Sequence, residues 1–333
     1  MKKRNIAIAI GGAVGAAVAV KLLTRPATVT WEEASPFVAH AERSKFIHVD
    51  GVKMHYQEFG SHSAPTILLI HGYTASANVW KTVAPMLAEN GFHVIAPDLV
   101  GFGYTEKPRW FDYSIQTQAR MLARLLVRLG VGRCVVIGSS YGGAVAMELT
   151  LDNDEKVEKL VLVDTVINDG IKRHPILRLA SVPGLGEAIT PFLCDSKALT
   201  RLRMNGSLAA ANRSMVTDER VASAVRPLAA ADAHHSVLAT ARNWNAARFE
   251  RDAQLITQPT LIIWGDSDTI IPASNGHKLH QEMLNSRFVI LKDCGHMPQE
   301  EKSGLFAALV TEFCNDKKGH IAEPSGGAAD LIA

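Results

Sequence analysis

Apolar residues along this chain come in two rhythms. Short unbroken runs, "TILLI" (66–70), "FHVIAP" (92–97), "CVVIG" (134–138), "KLVLVD" (159–164), "TLIIWG" (260–265) and "RFVILKD" (287–293), have the length and β-branched content of strands buried on both faces. Between them stand stretches with helical spacing. Met121, Leu122, Leu125, Leu126 and Leu129 share one face of a helix predicted over Ser114 to Leu129, and helices are also predicted over Ala77 to Glu89 and Gly142 to Leu151. Strand then helix, repeated, predicts a mostly parallel central sheet with helices on both faces. Ahead of it, Lys45 to Gly60 alternates about an Asp50-Gly51 turn and predicts a hairpin.

The rhythm stops between residues 168 and 247. That segment is rich in Ala, Leu and Arg, shows no strand-like run, and is broken by Pro175, Pro183 and Pro191. It predicts several short helices inserted into one core, whose two parts are residues 45–167 and 248–314. Residues 26–44 read as a polar linker, and 315–333 as a polar, Gly-rich tail expected to be disordered. At the start, Lys2, Lys3 and Arg4 precede an uncharged apolar run, Ile6 to Val20. Within residues 1–25 this suits a signal anchor, with the amino terminus in the cytoplasm and the body of the chain outside. Removal as a signal peptide, leaving a secreted or periplasmic protein, is the alternative. Gly11 and Gly15 give a G-x-x-x-G spacing in the run, which is weak evidence for helix pairing among so many small residues.

The 333 residues are 47% hydrophobic and 20% charged, enough to bury a full core and to exclude global disorder. The formal net charge is +2, and basic residues in the body alternate with acidic ones, so no nucleic-acid face is expected. Cys134, Cys194, Cys294 and Cys314 are too widely spaced for a metal motif or a disulfide framework.

Chemistry enters at "VVIGSSYGGAVAM" (135–147). Gly138-Ser139-Ser140-Tyr141-Gly142 fits G-x-S-x-G and selects Ser140, since the pattern follows a buried strand and opens a helix. A sharp strand-to-helix turn strains its central residue, and side chains two positions to either side would collide, which accounts for Gly138 and Gly142. A serine needs a base. Of 13 histidines, His296 in "DCGHMPQEE" follows the last core strand and so lies at the same sheet edge as Ser140. His71, His93, His234 and His235 are weaker candidates. The base needs an acid to fix its tautomer. Asp268, three residues beyond Gly265, is the first choice. Asp164, at the end of the preceding strand, is another topological position for it, and Asp266 is expected to make loop hydrogen bonds. The backbone N–H groups of Tyr73, in "LLIHGYTAS", and of Tyr141 can converge on a developing oxyanion. His71 is expected to be structural.

Taken together, "LLIHGYTASANVW", "VIAPDLVGFGYTEKP", "GSSYGG", "WGDSD" and "GHMPQEE", with the order Ser, Asp, His, resemble the α/β-hydrolase family over residues 45 to 314. The resemblance implies Ser140 as nucleophile, Asp268 as acid, His296 as base, and the insertion as a helical cap. Gly101 and Gly103 would shape a turn. No metal or organic cofactor is implied. Haloalkane dehalogenases and epoxide hydrolases of this fold carry aspartate at the nucleophile position, so the resemblance argues against both. "GFGYTEKP" is similar to the meta-cleavage-product hydrolases, yet their glycine-rich loop after the first His-Gly is absent. The leading expectation is a serine hydrolase of carboxylic esters, carboxylesterase-like or lipase-like, whose partners are a small hydrophobic ester and the membrane. A C–C bond hydrolase, a cofactor-free haloperoxidase-like activity and a non-catalytic binding protein are the alternatives.

Overall fold

The computed structural model describes residues 28–170 and 182–316, and the backbone of 331–332. The apolar run Ile6 to Val20, Pro175 and residues 317–330 of the expected tail lie outside them. The hairpin forms as β1 (Ser44–Val49) and β2 (Val52–Phe59), with Asp50 at φ 45° and Gly51 at φ 84°, the left-handed conformations that an Asp-Gly turn supplies. Six further strands follow: β3 (Thr66–Ile70), β4 (His93–Pro97), β5 (Cys134–Ser139), β6 (Val157–Val163), β7 (Thr260–Gly265) and β8 (Ser286–Leu291). With β9 (Leu331–Ile332) they make one sheet of order β1-β2-β4-β3-β5-β6-β7-β8-β9. Strands β3 to β8 run parallel, whereas β2 against β4 and β9 against β8 are antiparallel. The carboxyl ends of β3 and β5 to β8 therefore gather at one rim.

Why the strand runs are apolar at every position is plain from the two sides of the sheet. Ile67 and Leu69 join Val135, Ile137, Val161, Val163, Leu261 and Ile263 on one face. Leu68 and Ile70 join Val136, Leu160, Leu162 and Ile262 on the other. Successive side chains alternate faces, and each face is covered, so every Leu, Ile or Val there contributes about 1.5–3 kcal/mol of burial.

The helices in chain order are α1 (Trp31–Ala34), α2 (Val83–Glu89), α3 (Ile115–Arg128) and α4 (Tyr141–Asp152), then α5 (Leu185–Asp195), α6 (Lys197–Ser207), α7 (Asp218–Leu228), α8 (Ala233–Arg242) and α9 (Ala247–Asp252). After β7 come α10 (Ser274–Glu282), α11 (Pro298–Glu301) and α12 (Ser303–Asn315). Leu87 of α2 and Phe306 and Val310 of α12 cover one face; Leu122 and Leu125 of α3 and Val145 of α4 cover the other. Among the described residues no strand interrupts the stretch from β6 to β7, and no helix is long and apolar enough to cross a membrane.

Four local expectations change. The helix expected over Ala77 to Glu89 is divided into a 3-10 turn, Ala77–Trp80, and α2. Pro85 explains the break: its ring excludes the carbonyl four residues back, and that Lys81 carbonyl instead accepts from His40 Nε2 at 2.9 Å. The expected linker is ordered from residue 28. Thr30 and Glu33 close a capping box on α1, and Trp31 packs against Phe46, His55 and Tyr104. Pro191 lies inside α5 and does not end it. Leu331 and Ile332 of the tail pair with the otherwise open edge of β8.

One buried charge joins α4 to α9. Glu148 is wholly buried, and Arg248 Nη1 lies 2.7 Å from its Oε1. Burial pushes the Glu148 carboxyl up to about 7 despite that cation. Arg248→Ala is expected to cost about 2–3 kcal/mol of stability at pH 8. The loss should shrink toward pH 5, where protonation neutralises the abandoned carboxyl; urea denaturation at the two pH values measures both.

Candidate active site

At the end of β5 the chain turns directly into α4, and Ser140 is the turn. Its φ of 56° and ψ of −118° are strained for a residue with a side chain. Hydrogen bonds pin it there: Ser140 N–H donates to Val163 O at 2.8 Å, and Ser140 O accepts from Gly143 N–H at 3.0 Å and Val166 N–H at 3.2 Å. A Cβ on Gly138 would run into the Gly142 carbonyl, and one on Gly142 into the carbonyls of Ile70 and His71. Gly143, which the pattern did not single out, lies against Thr165. The two serines separate cleanly. Ser139 is buried, and its hydroxyl accepts from Gln299 Nε2 at 3.3 Å; Ser140 stays partly exposed at the apex.

His296 and Asp268 meet at the same rim. His296 Nδ1 donates to Asp268 Oδ2 at 2.7 Å, and the Asp268 side chain is wholly buried. Because the carboxylate accepts at Nδ1, the lone pair of Nε2 is available as a base. Asp268 Oδ1 takes two more donors, Ile270 N–H at 2.7 Å and Ile271 N–H at 3.1 Å. Asp266 makes loop bonds, accepting from Ser267 Oγ and Cys294 N–H. Asp164 also reaches this cluster: one side-chain atom each of Asp164, Asp268 and His296 lie within 4.8 Å of one another. The other histidines are engaged elsewhere: His93 with Glu58 and Thr66, His234 with Asp195, and the His235 ring against Tyr113.

The loop after β3 passes close to the serine. A Cβ on Gly72 would stand 3.2 Å from Ser140 Cβ and 3.7 Å from Ser140 Oγ. His71 sets the orientation of the next peptide. Leu99 N–H donates to His71 Nε2 at 3.0 Å, so the neutral ring carries its proton on Nδ1, which donates to Gly72 O at 2.8 Å. Burial holds the imidazole below its usual range, which keeps it in that neutral form. With the Gly72 carbonyl drawn to the ring, the Tyr73 N–H of the same trans peptide points the opposite way. Neither Tyr73 N–H nor Tyr141 N–H meets an acceptor among the described residues. A nucleophile, a base with its acid, and two unengaged donors make acyl transfer chemically feasible here.

Sequence and structure comparisons agree with this fold. The family described as "alpha/beta hydrolase fold" matches residues 65–186 and 188–303. The chain belongs to the α/β-hydrolase fold family. It is similar to the 2-hydroxy-6-oxo-2,4-heptadienoate hydrolase of Pseudomonas putida, 29% identical over 82% of this chain and 97% of that one. A solved meta-cleavage product hydrolase of Pseudomonas fluorescens superposes with a TM-score of 0.68 at 26% identity, covering 83% of this chain and 98% of that one. A solved membrane phospholipase A superposes with a TM-score of 0.69 at 25% identity, covering 95% of this chain and 98% of that one.

Three residues of this hydrolase's site escaped sequence reasoning. Glu301 accepts from Gly295 and Met297 N–H in the histidine loop, and from Ala209 N–H and Asn212 Nδ2 beyond α6. It thereby ties the His296 loop to the helical insertion. Gln299 holds Ser139. Asp98, buried, takes His55 Nδ1, Tyr104 N–H and Ala77 N–H, each at 2.7 Å. A Cβ on Gly103 would collide with the Asp98 carboxylate, and one on Gly101 with Tyr113, so both glycines shape that turn. The "GHMPQEE" stretch holds a signal for two of the three, its close-set polar residues after a histidine. His71→Ala, which frees the Gly72–Tyr73 peptide, is expected to lower kcat by roughly 10–100-fold with little change in KM. Steady-state kinetics on an activated ester, beside a thermal melt to show that the variant is folded, check this.

Proposed function

We propose that this protein is a serine hydrolase that cleaves carboxylic esters, with hydrophobic or lipid-derived substrates, through an acyl-enzyme. The observation that carries the reading is Ser140 held at a strained apex on the rim to which Asp268 and His296 are also brought. His296 Nε2 takes the Ser140 hydroxyl proton as Oγ attacks the ester carbonyl. The N–H groups of Tyr73 and Tyr141 receive the negative charge that develops on the carbonyl oxygen. His296 then passes its proton to the departing alcohol, and later activates the water that releases the acid.

The surroundings favour an apolar substrate. Tyr73 packs with Phe102, Tyr141 and Trp244 beside the serine, and its hydroxyl donates to Val237 O of α8 at 2.8 Å. This aromatic group lies between the sheet rim and the insertion, which acts as a cap. The likeness to a membrane phospholipase A supports a lipid-derived ester. Lys2, Lys3 and Arg4 ahead of Ile6 to Val20 favour an anchor that holds the body of the chain outside the cytoplasm.

A second reading is C–C bond hydrolysis by the same three residues. Two of the similar proteins are named for such chemistry. Arg203 of α6 also lies in the neighbourhood of Tyr73, a cation suited to an acidic substrate. The purified protein should be assayed on p-nitrophenyl esters of graded acyl length and on a ring-cleavage dienoate. The ester reading expects higher kcat/KM on a medium or long acyl ester than on the dienoate, and a fall of roughly 10⁵-fold or more in Ser140→Ala. Preference for the dienoate transfers the assignment to C–C hydrolysis. Undiminished turnover by Ser140→Ala removes the serine mechanism altogether.

A further inference from the structure

Asp164 directly follows β6 and stands at φ 42°, a strained value for a non-glycine residue, with its side chain fully buried. Its Oδ1 accepts from Gly265 N–H at 3.0 Å. Its Oδ2 is buried with no partner of its own among the described residues. Yet an Asp164 carboxyl oxygen lies within 4.8 Å of Asp268 and of His296. Two buried carboxyl groups this near disfavour each other's ionisation. The donors decide between them. Asp268 receives three, from His296, Ile270 and Ile271, whereas Asp164 receives one. The donor sets therefore make Asp164 the better seat for a proton. The groups facing Asp164 act in the same direction. Burial and the Asp268 charge push its carboxyl well above the usual range, and the Glu301 carboxylate of α11 adds to them. The Cys294 thiol, also nearby, is itself pushed up by burial and carries no opposing charge.

We propose that Asp164 is a second, proton-carrying carboxyl behind the site. From Oδ2 it donates to Asp268, moderates how strongly Asp268 holds the protonated His296, and becomes the anion itself when Asp268 is neutralised. It is a positioning residue, acting through Asp268. The inference rests on the serine-hydrolase reading of Ser140, His296 and Asp268.

The test compares Asp164→Ala, Asp164→Asn, Asp268→Asn and the double variant Asp164→Asn/Asp268→Asn. The readout is the pH profile of kcat/KM on p-nitrophenyl butyrate, with Ser140→Ala as control. Loss of the donor in Asp164→Ala leaves more charge on Asp268 and should move the acid limb up by roughly 0.5–1 pH unit. Asp164→Asn, whose amide still donates, should return that limb to its wild-type position, a rescue that a purely structural role would not produce. Asp268→Asn should retain at least about 10-fold more kcat/KM than the double variant, because Asp164 can ionise once its neighbour is neutral. This comparison needs only near-isosteric changes and stands even where Asp164→Ala fails to fold. Equal rates for Asp268→Asn and the double variant would overturn the proposal, as would an acid limb in Asp164→Ala coincident with the wild type. Full activity of Ser140→Ala would instead overturn the underlying reading, so the two failures are distinguishable.

Discussion

A serine held at φ 56° and ψ −118° between a strand and a helix imposes conditions on everything around it. Conformations of this kind cost on the order of 1–3 kcal/mol and persist only where neighbours over-determine them. Here Val163, Gly143 and Val166 hold the backbone of Ser140 from three directions. The helix α4 must begin immediately, so its first turn lies hard against the ends of β5 and β3. That contact leaves no space for a side chain at Gly138, Gly142 or Gly143. The return is a hydroxyl lifted to the rim, with an unengaged N–H of the helix start beside it.

The parallel sheet turns this local arrangement into a site. Because β3 and β5 to β8 run in one direction, the loops that follow them open on the same edge, and residues from 71 to 296 become neighbours. Glycine serves close approach again where two of these loops touch: a Cβ on Gly265 would strike the Gly295 carbonyl, and one on Gly295 would strike Ser207. The cap is joined to the rim at several points. His296 N–H donates to Ser207 O at 2.7 Å, Thr269 Oγ1 to Gly206 O, and Ser236 Oγ to Gly101 O. The end of α6 thus touches both the Asp268 loop and the His296 loop. Any movement of the cap is mechanically coupled to them.

Much of this was legible in the sequence, for a physical reason. Strands buried on two faces must be apolar at each position, so β3 and β7 begin and end where the apolar runs do. A tight turn must carry small residues, so Gly138 and Gly142 mark Ser140. What stayed hidden depends on partners remote along the chain. Asp98 reads as one more loop acid until folding brings His55 against it, and Glu301 until residues 209 and 212 arrive. The divided helix at Lys81 had a local sign in Pro85, and the ordered segment at Trp31 had one in Thr30 and Glu33. Each was outweighed by the polarity or the length of the stretch around it. In sequence Asp164 and Asp268 are rivals for one role, while the fold brings both to His296 and gives the hydrogen bond to Asp268.

The dependence of the whole site on one strained serine can be tested without knowing the substrate. The protein is incubated with a fluorophosphonate, digested, and the modified peptide is sequenced by mass spectrometry. Phosphonylation confined to Ser140, with the adjacent Ser139 untouched, is the predicted result. Modification of Ser139, or of a serine elsewhere at an equal rate, would contradict the account.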